Sequence, residues 1–192
     1  DDYGIKKGDR VAISMRNYPE WILTFNAITS IGAIAVAMNS LWLSDEMAYG
    51  LNDSGAKVLF ADQERPDRLE PVRGAVDAQV IAVRPSKALA SGTANLAELL
   101  LNVDTVDMPA VDNFTAQDPA TIFYTSGSTG HPKGVLSCHG NIISALLSWE
   151  FETGLHAAEF NIEAPEDTGY QLATLQGVPL FHVTGSHAVM LS

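Results

Sequence analysis

The chain has 192 residues, with 11 Lys and Arg against 23 Asp and Glu, a formal net charge of −12, and 46% hydrophobic against 18% charged residues. This is globular composition, and the acidic balance argues against a basic face that tracks nucleic-acid phosphates or an electrostatic membrane anchor, although it leaves a local basic site open. A single cysteine, Cys138, excludes an internal disulfide and the multi-cysteine zinc classes. The first residues carry no basic n-region of a signal peptide, so a cytoplasmic location is expected.

Residues 10–14 (RVAIS) read as a strand. Asn17 and Pro19 then sit where a helix start wants a capping side chain and a preset φ, and the helix is expected to run to about Ile31. Residues 21–44 carry no charge, but the period changes within them. Trp21, Phe25 and Ile28 recur at helical spacing, Gly32 interrupts, and 33–38 is an apolar run of strand length, so a helix and a buried strand are expected rather than a membrane span. Ser44, Asp45 and Glu46 open a second helix that Gly55 closes. Residues 57–61 (KVLFA) and 79–83 (QVIAV) are the third and fourth strands. Strand–helix–strand units with near-continuous apolar strands imply a doubly wound, mostly parallel α/β lobe over 1–83.

From 84 to 117 the composition turns to Ser, Thr, Asn, Asp and Pro, with a short helical patch at 96–101, and reads as a connecting region. Residues 118–192 are expected to hold a functional loop and the start of a second α/β lobe. In them, 121–125 (TIFYT) is a strand, 135–137 a returning strand and 139–149 an amphipathic helix with Ile142, Ala145, Leu146 and Trp149 on one face. Residues 150–171 read as an acidic, irregular excursion, followed by apolar stretches at 172–175 and 178–181. The chain opens on Asp1 and ends in an apolar run, so it is expected to be an N-terminal piece of a larger protein.

The chemistry concentrates at 125–134. Four hydroxyls (Thr125, Ser126, Ser128, Thr129), three glycines (Gly127, Gly130, Gly134) and Lys133 fall within ten residues after an apolar strand. Glycine lets backbone N–H groups approach an oxyanion, hydroxyls rotate to donate to phosphate oxygens, and lysine adds a point charge. The spacing is neither G-x-x-x-x-G-K-[ST], nor G-x-G-x-x-G, nor a G-x-S-x-G nucleophile elbow. Composition alone leaves a phosphate site and an ordinary Ser/Gly-rich hairpin turn both open.

The run Tyr124 to Val135, YTSGSTGHPKGV, resembles the signature loop of the AMP-forming acyl-adenylating superfamily, which includes acyl-CoA synthetases, luciferase and peptide-synthetase adenylation domains. Further segments are similar to the same superfamily: 8–12 with Glu20 and Trp21, 32–39, 137–141, and 179–185 (PLFHVTG), whose form favours the acyl-CoA synthetase branch. The resemblance implies ATP-dependent activation of a carboxylate to an acyl-adenylate, then thioester formation with coenzyme A, with ATP, Mg²⁺ and coenzyme A as cofactor and co-substrates. It implies that Thr125, Ser126, Gly127, Ser128, Thr129, Gly130 and Lys133 bind the ATP phosphates and that His182 and Gly185 belong to the acyl-substrate and adenylate pocket, with no protein-held metal. The family's adenine-binding Thr-Glu, ribose-binding Asp, hinge and late lysine have no counterpart in 1–192, so the chain alone is expected to be inactive, with the activity in its parent. Alternatives are a non-catalytic nucleotide-binding module and the luciferase-like or peptide-synthetase branches. His139, His187 and Cys138 read as structural.

Overall fold

The computed structural model describes residues 3–101, 103, 110–125, 130–162, 169–170 and 173–191. The apolar runs form strands as expected: β1 (Arg10–Ser14), β2 (Ile34–Ala37), β3 (Val58–Asp62) and β4 (Gln79–Val83), almost every residue of them buried. Their side chains are apolar on both faces because both faces of the sheet are covered. One layer is the helix α1 (Pro19–Ser30), whose Trp21, Phe25 and Ile28 pack over Val11, Ile13, Ala35 and Ala37, with the Trp21 and Phe25 rings stacked at 5.3 Å. On the other face, α2 (Ser44–Ser54) and α3 (Glu64–Leu69) bring Met47, Leu51 and Leu69 against Ala12, Val36, Leu59 and Val80. Gly55 ends α2 in the left-handed conformation (φ 61°), and the Arg10 guanidinium donates to the Ser54 and Gly55 carbonyls at 2.9 and 3.0 Å, satisfying that helix end.

Seven strands form one sheet in the order β5-β4-β3-β1-β2-β6-β7, where β5 is Thr93–Asn95, β6 Pro119–Thr125 and β7 Lys133–Cys138. All neighbours are parallel except β6 and β7, which pair as an antiparallel hairpin. The strands expected to open a second lobe extend the first sheet instead: β6 lies beside β2, with Ala35 opposite Thr121 and Ala37 opposite Phe123. The connecting stretch likewise holds β5 and then α4 (Leu96–Leu100). Asn95 caps α4 by accepting from the Ala97 N–H, and its amide donates to Glu98, a local signal that could have revealed the strand–helix junction.

Two local expectations are corrected. Asn17 does not cap α1; Tyr18 occupies the N-cap position without a side-chain bond. Asn17 instead accepts from the Leu180 N–H and donates to the Val178 carbonyl, both at 2.9 Å, a use that only distant chain can supply. The helix after β7, α5, runs from His139 to Glu159, ten residues past its expected end and into the stretch expected to be irregular. Gly154 alone costs a helix about 1 kcal/mol and does not stop it, and Thr153 donates back to the Trp149 carbonyl. No side chain of α5 is buried, and Ile142, Ala145 and Leu146 are half-buried. Residues 173–183 form no strand, and Thr184–Met190 is a π-helix. No helix among the described residues is long and apolar enough to cross a membrane, and residues 21–44 split into helix, turn and strand.

Candidate nucleotide site

Because β1, β2, β3 and β6 are parallel, their carboxyl ends share one edge, the edge where open α/β sheets bind ligands. The loop after β6 therefore starts at that edge, and β7 carries the chain back from it. The hairpin register closes at Thr125 opposite Lys133, where the Thr125 hydroxyl sits 3.5 Å from the Lys133 carbonyl. Gly130 adopts a positive φ of 104°. Ser126, Gly127, Ser128 and Thr129 lie outside the described residues.

Beside the hairpin is a cleft of about 650 Å³. Asn39, Leu41, Trp42 and Glu46 form one wall, Phe123, Tyr124, Thr125, Gly130 and Pro132 the second, and Phe181, His182 and Val183 the third. The structure thus brings Thr125 and Gly130 together with His182, residues more than fifty positions apart in sequence. Lys133 is exposed at the hairpin's return and has no ion pair among the described residues.

His182 is placed by its neighbours. Leu180 and Phe181 are buried in the α1-side core, and Asn17 clamps 178–180, so the exposed imidazole next in line faces the cleft. Gly185 is buried and does not line the cleft. A Cβ there would stand 2.3 Å from the Pro179 carbonyl oxygen, so the close approach this glycine permits is to its own chain. Its bearing on the site is indirect, since the same turn has the His182 N–H donating to the Pro179 carbonyl at 3.1 Å. Gly185→Ala is expected to destabilise the protein by about 1–3 kcal/mol through forced displacement of this turn, read as a lower denaturation midpoint.

His187 and His139 pack against aromatic rings and do not line the cleft. His187 is buried edge-on to Phe25 and Phe123, with Nδ1 2.8 Å from the Ser186 hydroxyl, and burial holds its pKa below the ordinary histidine value. His139 packs against Phe114 at the foot of β7; burial lowers its pKa and the Asp118 carboxylate opposes this. For both, the unfolded chain binds a proton that the folded one resists. The stability they support is whole above the unfolded histidine pKa of about 6.5 and is lost as pH falls below it. Thermal midpoints are expected to fall between pH 7 and 5.5, and His187→Leu should flatten that slope. Cys138 begins α5, its backbone N–H donating to Asn141 at 3.0 Å and its thiol lying 3.1 Å from the same oxygen.

Two features of the site escaped the sequence reading. One is the aromatic wall: Trp42 meets Tyr124 edge-on at 5.2 Å, and burial, with Asp53 accepting the phenolic proton, pushes Tyr124 well above the usual tyrosine pKa. The other is Arg65, buried with Asp62. Its Nε and Nη2 donate to the Ser40 carbonyl at 2.8 and 2.5 Å, and its Nη1 to Asp62 at 2.9 Å. Arg68 adds bonds to the Ser40 and Trp42 carbonyls, both at 3.1 Å, so the turn that forms the first wall hangs from α3. The Asp-x-x-Arg spacing after the third strand was its only sequence signal.

This geometry was compared with known proteins. The long-chain-fatty-acid–CoA ligase FadD13 of Mycobacterium tuberculosis is 34% identical over 191 residues, covering 98% of this chain and 34% of that protein. The solved N-terminal domain of FACL13 from Mycobacterium tuberculosis superposes with a TM-score of 0.71 at 30% identity, covering 98% of this chain and 42% of that one. The anthranilate CoA ligase AuaEII, solved in complex with anthranoyl-AMP, superposes with a TM-score of 0.70 at 27% identity, covering 77% of this chain and 28% of that one. The chain thus spans about a third of the length of FadD13. Residues 2–192 match the family described as AMP-binding enzyme, and the chain belongs to that family.

Proposed function

We propose that this chain is the phosphate-gripping part of an ATP-dependent acid–thiol ligase, which joins a carboxylic acid to coenzyme A through an acyl-adenylate. The observation that carries the reading is the hairpin after β6: its Thr125 and Gly130 open onto the same cleft as His182, at the carboxyl edge of the sheet, in a chain of the AMP-binding family. The similarity to FadD13 and to AuaEII, one named a CoA ligase for a fatty acid and the other solved with an acyl-adenylate, supports both halves of the reaction.

In the first half, a carboxylate oxygen bonds to the α-phosphorus of ATP, the bond to the β-phosphate bridging oxygen breaks, and pyrophosphate leaves. In the second, the coenzyme A thiolate attacks the acyl carbonyl and AMP leaves. Little covalent work falls to the protein, whose task is positioning and charge stabilisation. Lys133, with the hydroxyls of Thr125, Ser126, Ser128 and Thr129 and the amides of Gly127 and Gly130, neutralises the β- and γ-phosphates as pyrophosphate departs. His182 borders the acyl end of the adenylate. Mg²⁺ would enter with the triphosphate, offset the charge of its phosphates and keep much of its water. A ligase drawing on ATP and coenzyme A is assigned to the cytoplasm.

The test is AMP formation by the full-length protein across a panel of carboxylic acids, with and without coenzyme A. Acid-dependent AMP and a coenzyme A thioester are expected. Nucleotide binding with no acid-dependent AMP would make the chain a non-catalytic module, and adenylate release without thioester would move it to another adenylating branch.

A further inference from the structure

Both stems of the 125–134 hairpin are tied to one face of α2. On the outgoing stem, the Tyr124 hydroxyl donates to the Asp53 carboxylate at 2.7 Å and lies 3.1 Å from the Gly50 carbonyl. On the returning side, two residues before β7 begins, the His131 ring stacks on Tyr49, with centroids 4.8 Å apart and planes at 23°. Tyr49 and Asp53 are four residues apart, one helical turn, so their side chains stand side by side. They lie more than seventy positions from the hairpin in sequence, and within the hairpin β6–β7 pairing stops at Thr125 and Lys133.

The helix that makes these contacts is itself fixed. Met47 and Leu51 on its inner face are buried, the Glu46 carboxylate accepts from the Leu43 N–H at its start, and Arg10 holds its end. Tyr49 is half-buried and Asp53 exposed, so neither is needed to fill the core. Their contacts go outward, to the two residues that flank the loop on either side.

We propose that Tyr49 and Asp53 are positioning residues for nucleotide binding: α2 clamps both stems of the hairpin and so sets where Thr125, Gly130 and Lys133 meet the triphosphate. This rests on the reading of the hairpin as the ATP-phosphate loop. Phosphate-binding groups whose flanking residues Tyr124 and His131 are already held need less ordering when a polyphosphate binds, and the saving appears as tighter nucleotide use.

The test uses the full-length ligase with Tyr49→Leu, which removes the ring stack, and Asp53→Ala, which removes the acceptor. Tyr49→Phe and Asp53→Asn are the conservative controls, since a phenyl ring still stacks and an amide oxygen still accepts. KM for ATP is expected to rise roughly tenfold in the first pair and to return in the second, with KM for the acid and the thermal midpoint held close to wild type. Hydrogen exchange at the amides of Gly130, His131, Lys133 and Gly134, measured without nucleotide, is expected to quicken in Tyr49→Leu. The inference is overturned if KM for ATP stays at the wild-type value while Lys133→Met raises it, or if both KM values move together with the thermal midpoint. Should Lys133→Met leave ATP use untouched, the phosphate-loop reading itself falls. Exchange at those amides then decides whether α2 clamps the hairpin, and unchanged exchange in Tyr49→Leu overturns that too.

Discussion

Lys133→Met is expected to lower kcat/KM for ATP in acid-dependent AMP formation by about 10²–10³-fold, the usual loss when one preorganised donor to developing negative charge is removed. The fold should not notice. Lys133 is exposed, no carboxylate pairs with it among the described residues, and its backbone carbonyl still meets the Thr125 hydroxyl whatever the side chain. Removing the ammonium therefore strands no partner among the described residues, and on the proposed reading the cost falls on the departing pyrophosphate. Pre-steady-state AMP formation and a thermal melt, run side by side, separate the two effects. Wild-type kinetics in Lys133→Met would remove the lysine from the reaction.

The largest stability effect is expected at Arg65, where Arg65→Met should cost about 3–5 kcal/mol, a substantial share of a typical domain's total. The side chains of Arg65 and Asp62 are 3% and 6% exposed. Without the guanidinium, among the described residues the Asp62 carboxylate keeps only the Arg16 backbone N–H at 3.3 Å, and the Ser40 carbonyl keeps only the bond from Arg68. Water cannot replace those partners in a buried site, so desolvation is left uncompensated. The double variant Arg65→Met/Asp62→Leu should lose much less than the sum of the single changes, because it removes the stranded charge as well. Urea denaturation of the four proteins forms the cycle; strict additivity would show that the pair does not interact. Loosening the Asn39–Trp42 turn should also weaken substrate binding, since that turn is a wall of the cleft.

The alternating elements of the first eighty residues are written in local pattern, since strands covered on both faces must be apolar at every position and a helix covered on one side must be apolar every third or fourth. β1, β4, α1 and α2 are legible for that reason, as is the stop at Gly55, where the chain needs a positive φ. The sequence also carried the family, through the resemblance of the hydroxyl-, glycine- and lysine-bearing run at 124–135. Roles that depend on residues far apart in the chain emerge only once it is folded. Asn17 carries the local mark of a cap yet is spent on residues 178–180; Arg65 has the look of a surface helix residue yet is buried beneath the cleft wall; Gly185 serves the Pro179 carbonyl. Strand order is of the same kind. β6 joins β2 across more than eighty intervening residues because the edge of β2 offers unpaired N–H and C=O groups beside a buried apolar face. Neither condition is written in the local pattern of either strand.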